Sequence, residues 1–88
     1  MRTFKLTITS PSGNIFDGEA ASVTLRGIEG ELAVLAGHAA FMTTVKPCDC
    51  KIIFPDDTER TAHVDGGILT VADNKATLLS GTFEWNEN

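Results

Sequence analysis

The chain has 88 residues and a mass of 9.4 kDa, room for one small domain that removes only about 60–65% of its unfolded surface from water. Apolar residues make up 42% of it, an ordinary globular share that excludes disordered, collagen-like and fibrous classes. Twelve acidic residues against seven basic ones give a net charge of −5, which excludes nucleic acid as a partner, because binding a phosphate backbone needs a positive surface that releases condensed counterions.

No apolar run approaches the ~20 residues that cross a bilayer. The start, Met1 to Thr7, alternates apolar and polar residues instead of forming an apolar leader, so the expectation is a soluble, unsecreted chain. Val, Ile and Thr together supply a quarter of the sequence, and these β-branched side chains suit pleated, half-buried surfaces. Three stretches alternate with period two: Phe4, Leu6 and Ile8; Ala21, Val23 and Leu25; and Cys48, Cys50, Ile52 and Phe54. Each places one face inward.

Turn residues punctuate these runs at short intervals. Ser10 to Asn14, Asp17-Gly18, Gly27, Gly30, Pro55-Asp56-Asp57, Asp65-Gly66-Gly67 and Asp73-Asn74 all favour reversals. About nine or ten short strands result, so the expected fold is all-β, a sandwich or flattened barrel. Residues 48–54 and 58–65 are expected to pair as a hairpin around Pro55-Asp56-Asp57. Between Leu32 and Ala40 the periodicity also fits a helix, and Gly37 weakens that reading without settling it. The expected division is one β-domain over residues 1–80 and a short tail over 81–88. That tail is too short for a stable helix, and its charged and amide residues suggest fraying.

Candidate chemistry is sparse. Nucleophilic catalysis needs a nucleophile next to a base held by a third group. His38 and His63 are the only histidines and no serine lies in a G-x-S-x-G setting, so no catalytic residue is assigned and the chain is read as non-enzymatic. Cys48 and Cys50 share one strand face with Ile52 and Phe54 and are read as small inward hydrophobes. Structural zinc wants four ligands and a second Cys pair is missing, so no metal or other cofactor is expected. His63 shares the outward parity of Glu59, Thr61 and Asp65 and is read as a surface residue. His38 lies among small residues in Gly37-His38-Ala39-Ala40, where an imidazole can cap backbone groups or meet a partner. Trp85 either folds back on the sandwich or docks elsewhere, the first being the commoner fate of an apolar ring.

Residues 27–41, GIEGELAVLAGHAAF, and 63–80, HVDGGILTVADNKATLLS, resemble the two signature segments of the epsilon subunit of the proton-translocating rotary ATP synthase. The opening is similar as well: Phe4 to Ile8, Ser10 to Gly13, Ile15 to Ala20 and Ser22-Val23. Order and spacing agree over about residues 3–80. The resemblance implies a ten-stranded β-sandwich and reads Leu32 to Met42 as strand, loop, strand. It further implies a non-catalytic rotor subunit of the central stalk, peripheral on the cytoplasmic face of the bacterial plasma membrane, that joins the gamma subunit to the ring of c subunits and is a monomer when isolated. By position, Gly27, Glu29, Gly30, Glu31 and His38 match the family's loop facing the c-ring, and Gly66-Gly67 matches its glycine pair.

Departures accompany the match. Arg26 and Ala40 stand where many members have Pro, and Cys48-Asp49 stands where Gly-Val or similar is usual. Family members usually continue into a C-terminal helical hairpin that can inhibit ATP hydrolysis, whereas here Leu79 to Trp85 replaces the family's Leu-Ala-Asp, so the expectation is a short epsilon without the hairpin. The competing readings are a stand-alone β-sandwich binding a small ligand, disfavoured by 7% aromatics with no Tyr, and a metal or redox protein built on the two cysteines.

Overall fold

The computed structural model describes residues 2–86. It is all β among those residues, with β1 (Phe4–Ser10), β2 (Gly13–Ala20), β3 (Ser22–Gly27), β4 (Gly30–Leu35), β5 (Phe41–Val45), β6 (Cys48–Ile53), β7 (Glu59–Val64), β8 (Gly67–Ala72), β9 (Lys75–Ser80) and β10 (Phe83–Trp85). The expected ten-stranded sandwich is thus present. The region open to a helical reading is β4, a loop over 36–40, and β5. Strand wins there because Val34 turns into the core while its neighbours Ala33 and Leu35 point outward, a period of two that Gly37 then interrupts.

Two five-stranded groups share the core. One runs β4, β3, β6, β7, β10 and the other β5, β8, β9, β1, β2; a single register pair, Gly27 opposite Val45, joins them. Only β1 and β9 pair in parallel among the described strands. The inward residues are those the alternation selects: Phe4, Leu6 and Ile8 from β1, Val23 and Leu25 from β3, Cys50 and Ile52 from β6. All are essentially removed from water, and burying each aliphatic side chain stabilises the fold by about 1.5–3 kcal/mol relative to exposure.

The β6–β7 hairpin has the expected partners, from Cys48 opposite Val64 to Ile53 opposite Glu59. Its turn is closed by Phe54 N–H on the Thr58 carbonyl, and Asp57 adopts φ +71°. Asp56 Oδ1 accepts from both Thr58 N–H and Thr58 Oγ1, at 3.1 and 2.6 Å. Those donors favour the charged carboxylate and hold Asp56 below its usual pKa.

The tail differs from the expectation of fraying. Phe83–Trp85 form β10, paired with β7 from Phe83 opposite Val64 to Trp85 opposite Ala62, and Asn86 N–H bonds the Thr61 carbonyl. The cause is a short alternation in which Phe83 and Trp85 turn inward and Glu84 outward. Residues 87 and 88 lie outside the described residues. Strands β10 and β2 are the two ends of the continuous strand path, and rings seal them: Trp85 meets Phe16 of β2 at 6.3 Å and Phe83 at 5.0 Å, both edge to face. Phe54 approaches Phe16 at 5.7 Å, and the Arg60 guanidinium lies 4.0 Å above the Trp85 ring. Such pairs add about 0.5–1.5 kcal/mol each beyond area burial.

Trp85→Ala is therefore expected to lower the unfolding free energy by about 2–4 kcal/mol, since it removes a half-buried indole together with its ring contacts. Urea unfolding checks this; a loss below about 0.5 kcal/mol would show that β10 does not seal the seam.

Candidate partner-binding surface

Strands β3 and β4 pair along their whole length, so only Ile28 and Glu29 connect Gly27 to its partner Gly30. Gly30 makes this possible with φ +125°, a conformation that side chains with a Cβ rarely adopt. Gly27 sits close to its neighbours for a different reason: a Cβ there would lie 2.9 Å from Leu32 Cδ2 and 3.3 Å from Thr43 Oγ1, side-chain atoms that would have to move aside. Glu29 and Glu31 project from this tight turn into solvent. Arg26 stands opposite Glu31 in register, yet the ion pairs among the described residues involve other groups, Lys5 with Asp17 and His63 with Asp49 and Asp65. Both turn carboxylates are thus left without a cationic partner inside the described chain.

The turn and β5 share one shallow depression. Gly27, Glu29, Gly30 and Glu31 line it together with Phe41 and Met42. His38 lies at the other end of β4 and reaches this lining only through Phe41, whose ring it meets at 4.9 Å. Its Nδ1 is 2.9 Å from the Ala39 carbonyl. A carbonyl only accepts, so Nδ1 carries a proton and, in the neutral ring, Nε2 is the outward acceptor. Gly66 and Gly67 do not line the depression. Gly67 pairs with Val45 on one side and Ser80 on the other, and Val45 in turn pairs with Gly27.

Periodicity did not single out the apolar part of this surface. Ile28 and Met42 are 58% and 69% exposed, and both border a second depression with Glu29 and Ile68. Ile68 stands directly opposite Leu79, which is also exposed, so apolar side chains run from the turn across β5, β8 and β9. A signal did exist: Ile68 shares the outward parity of Thr70, and Leu79 that of Lys75 and Thr77. An aliphatic residue on a polar face needs a reason, and exposed patches of this kind mark interaction sites.

The cysteines contribute nothing to this surface. Cys50 is fully buried and Cys48 half-buried, its Sγ 3.4 Å from the Arg26 N–H. His63 points out of the opposite face of the sheet, so the two thiols and the imidazole cannot ligate one ion. Burial, with a smaller contribution from Cys48, pushes the Cys50 thiol up from 9.0 to about 12.

A family model described as "ATP synthase, Delta/Epsilon chain, beta-sandwich domain" matches residues 3–86. The chain belongs to that family. It is 40% identical over 85 residues to a protein of Acetobacterium woodii described as "ATP synthase epsilon chain, sodium ion specific". The match takes in 97% of this chain and 64% of that relative, so the chain spans a little under two thirds of the curated relative's length. Among solved structures, its fold is shared by a chain of the Euglena gracilis mitochondrial ATP synthase OSCP/F1/c-ring assembly, with a TM-score of 0.89, 24% identity, and coverage of 94% of this chain and 53% of that one. A chain of the Tetrahymena thermophila mitochondrial ATP synthase central stalk and c-ring gives a TM-score of 0.77 at 17% identity, covering 93% of this chain and 66% of that one.

The raised Cys50 pKa sets a pH dependence for this family member. In the unfolded chain the thiol ionises near 9, whereas in the folded chain it holds its proton to about 12. The unfolded state therefore loses its proton first, and the stability this thiol contributes falls as pH rises from 9 to 12. Cys50→Ala is expected to lower the unfolding temperature at neutral pH but to show a shallower alkaline decline than the parent. Parallel curves for the two proteins would contradict this.

Proposed function

We propose that this β-sandwich is a non-catalytic central-stalk component of a rotary ATP synthase that joins the gamma subunit to the c-ring and so couples ion flow, read as proton flow from the family resemblance, to ATP synthesis. The observation that carries the reading is a pair of exposed, internally unpaired carboxylates on a rigid turn, Glu29 and Glu31, next to an exposed aliphatic stripe, in a chain of the delta/epsilon family. The central-stalk and c-ring assemblies that share its fold support the same reading.

Each half of the surface suits one partner. The acidic turn, held by Gly27 and Gly30, meets basic polar loops of the c-ring; such exposed charges orient docking and speed encounter more than they add affinity. The stripe of Ile28, Met42, Ile68 and Leu79 meets gamma, where burying each aliphatic side chain contributes about 1.5–3 kcal/mol. No helix among the described residues is long and apolar enough to cross a membrane, and attachment to the membrane sector through the c-ring makes the protein peripheral, on the cytoplasmic face.

Two substitutions separate the two contacts. Glu31→Lys is expected to weaken co-sedimentation with c-ring liposomes by about five-fold at low salt, with the difference shrinking as salt screens it. Met42→Asp is expected to weaken binding to purified gamma by at least about ten-fold, the weight of one buried methionine. Neither side chain is buried, so both variants should unfold near the parent temperature. Unchanged binding of both variants to both partners would overturn the proposal.

A further inference from the structure

The loop over residues 36–40 is not held by its own sequence. It is made of small residues and is largely exposed, and within it His38 N–H returns only to the Leu35 carbonyl, at 3.2 Å. Its remaining backbone tether comes from Asn74, in the two-residue turn between β8 and β9. Asn74 Oδ1 accepts the Gly37 N–H at 2.8 Å, while Asn74 Nδ2 donates to the Thr3 carbonyl at 3.0 Å. Because one partner only donates and the other only accepts, the orientation of this carboxamide is fixed. The Asn74 carbonyl also takes the Lys5 N–H, at 3.1 Å.

One residue thus ties together the start of β1, the β8–β9 turn and the β4–β5 loop. Its own backbone suits the position: Asp73 and Asn74 have φ of +53° and +60°, the left-handed geometry of a tight hairpin turn that Asn tolerates better than most residues. Turn chemistry accounts for an Asn or a Gly at 74. It does not account for a side chain bonded in both directions to segments far away in sequence.

We propose that Asn74 is a positioning residue for partner binding: its carboxamide holds Gly37 so that the adjacent His38 ring stays against Phe41, presenting the imidazole and the Phe41 end of the acidic depression as one preformed surface. This rests on the central-stalk reading above. Holding the loop in its bound shape beforehand removes the ordering cost that a loose loop of small residues meets on docking.

The substitution Asn74→Gly tests it without straining the turn, since Gly takes φ +60° freely and only the side-chain bonds are lost. Asn74→Asp keeps the acceptor for Gly37 N–H but has no donor for the Thr3 carbonyl, and serves as the partial rescue. Binding to a purified gamma and c-ring subcomplex would be measured for the parent, both variants, His38→Ala and the Asn74→Gly/His38→Ala double variant, together with amide exchange at Gly37. In Asn74→Gly the Gly37 amide is expected to exchange about five-fold faster or more, the weight of one hydrogen bond, and affinity to fall by about five-fold. Asn74→Asp should regain part of both, since one of the two bonds remains. The double variant should lose little beyond His38→Ala alone, because the two residues act through one another.

Unchanged Gly37 exchange in Asn74→Gly would overturn the inference, as would parent-like affinity or losses that simply add in the double variant. If the parent itself fails to bind the subcomplex, the central-stalk reading falls and this inference with it. If the parent binds and Asn74→Gly binds equally well, this inference alone falls.

Discussion

One cross-strand row, Gly27, Val45, Gly67 and Ser80, carries the geometry of the whole molecule. It runs over β3, β5, β8 and β9 and is where the two five-stranded groups join. Its middle member on β8 must be glycine, because a Cβ on Gly67 would lie 2.1 Å from the Leu79 carbonyl oxygen, on backbone that cannot step aside. Gly66 is less crowded, a Cβ there falling 3.1 Å from the Val45 carbonyl oxygen, but its φ of +105° is one that residues with a Cβ rarely adopt. Ser80 is the one fully buried polar side chain among the described residues, and its Oγ lies within hydrogen-bond reach of the carbonyls of Gly66 and Thr82. The close approach therefore also fixes where the chain leaves β9 for β10.

Several features follow from that row. Val45 is pinned between Gly67 and Gly27, which sets the end of β3 and with it the turn bearing Glu29 and Glu31. Placing β5 edge-on to the same turn brings Met42 beside Glu29, so charge and apolar surface become neighbours although they come from different strands. On the opposite side of the sandwich no backbone bridge among the described residues closes β2 against β10, and aromatic contacts do so instead. The sandwich is thus held by backbone proximity at one seam and by side-chain rings at the other.

Much of this was legible in the sequence for a definite physical reason. Inward strand residues are set by alternation, a local property, so β1, β3, β6 and the β6–β7 hairpin could be read residue by residue. Gly27 and Gly30 marked a reversal, but its carboxylates stood out only through the family resemblance, since nothing local distinguishes Glu29 and Glu31 from other exposed acids until the register of β3 and β4 leaves a two-residue turn. Other features depend on partners distant in the chain. Asn74 reads as turn residue and nothing more until Gly37 and Thr3 are brought beside it, and Trp85 reads as a ring that folds back on the sandwich without a partner until Phe16 arrives from the far edge strand. The aliphatic stripe was half visible. Ile68 and Leu79 break the polar parity of their strands, but only the register that sets them opposite each other joins them into a surface.

The central claim is that backbone contact at Gly67, rather than flexibility supplied by glycine in general, fixes the join between the two halves. Urea unfolding of Gly67→Ala beside Gly81→Ala measures it most directly, since a Cβ at Gly81 would meet nothing within 4 Å. Gly67→Ala is expected to lose at least about 3 kcal/mol, with Gly81→Ala staying within about 1 kcal/mol of the parent. Equal, small effects at the two positions would contradict the account.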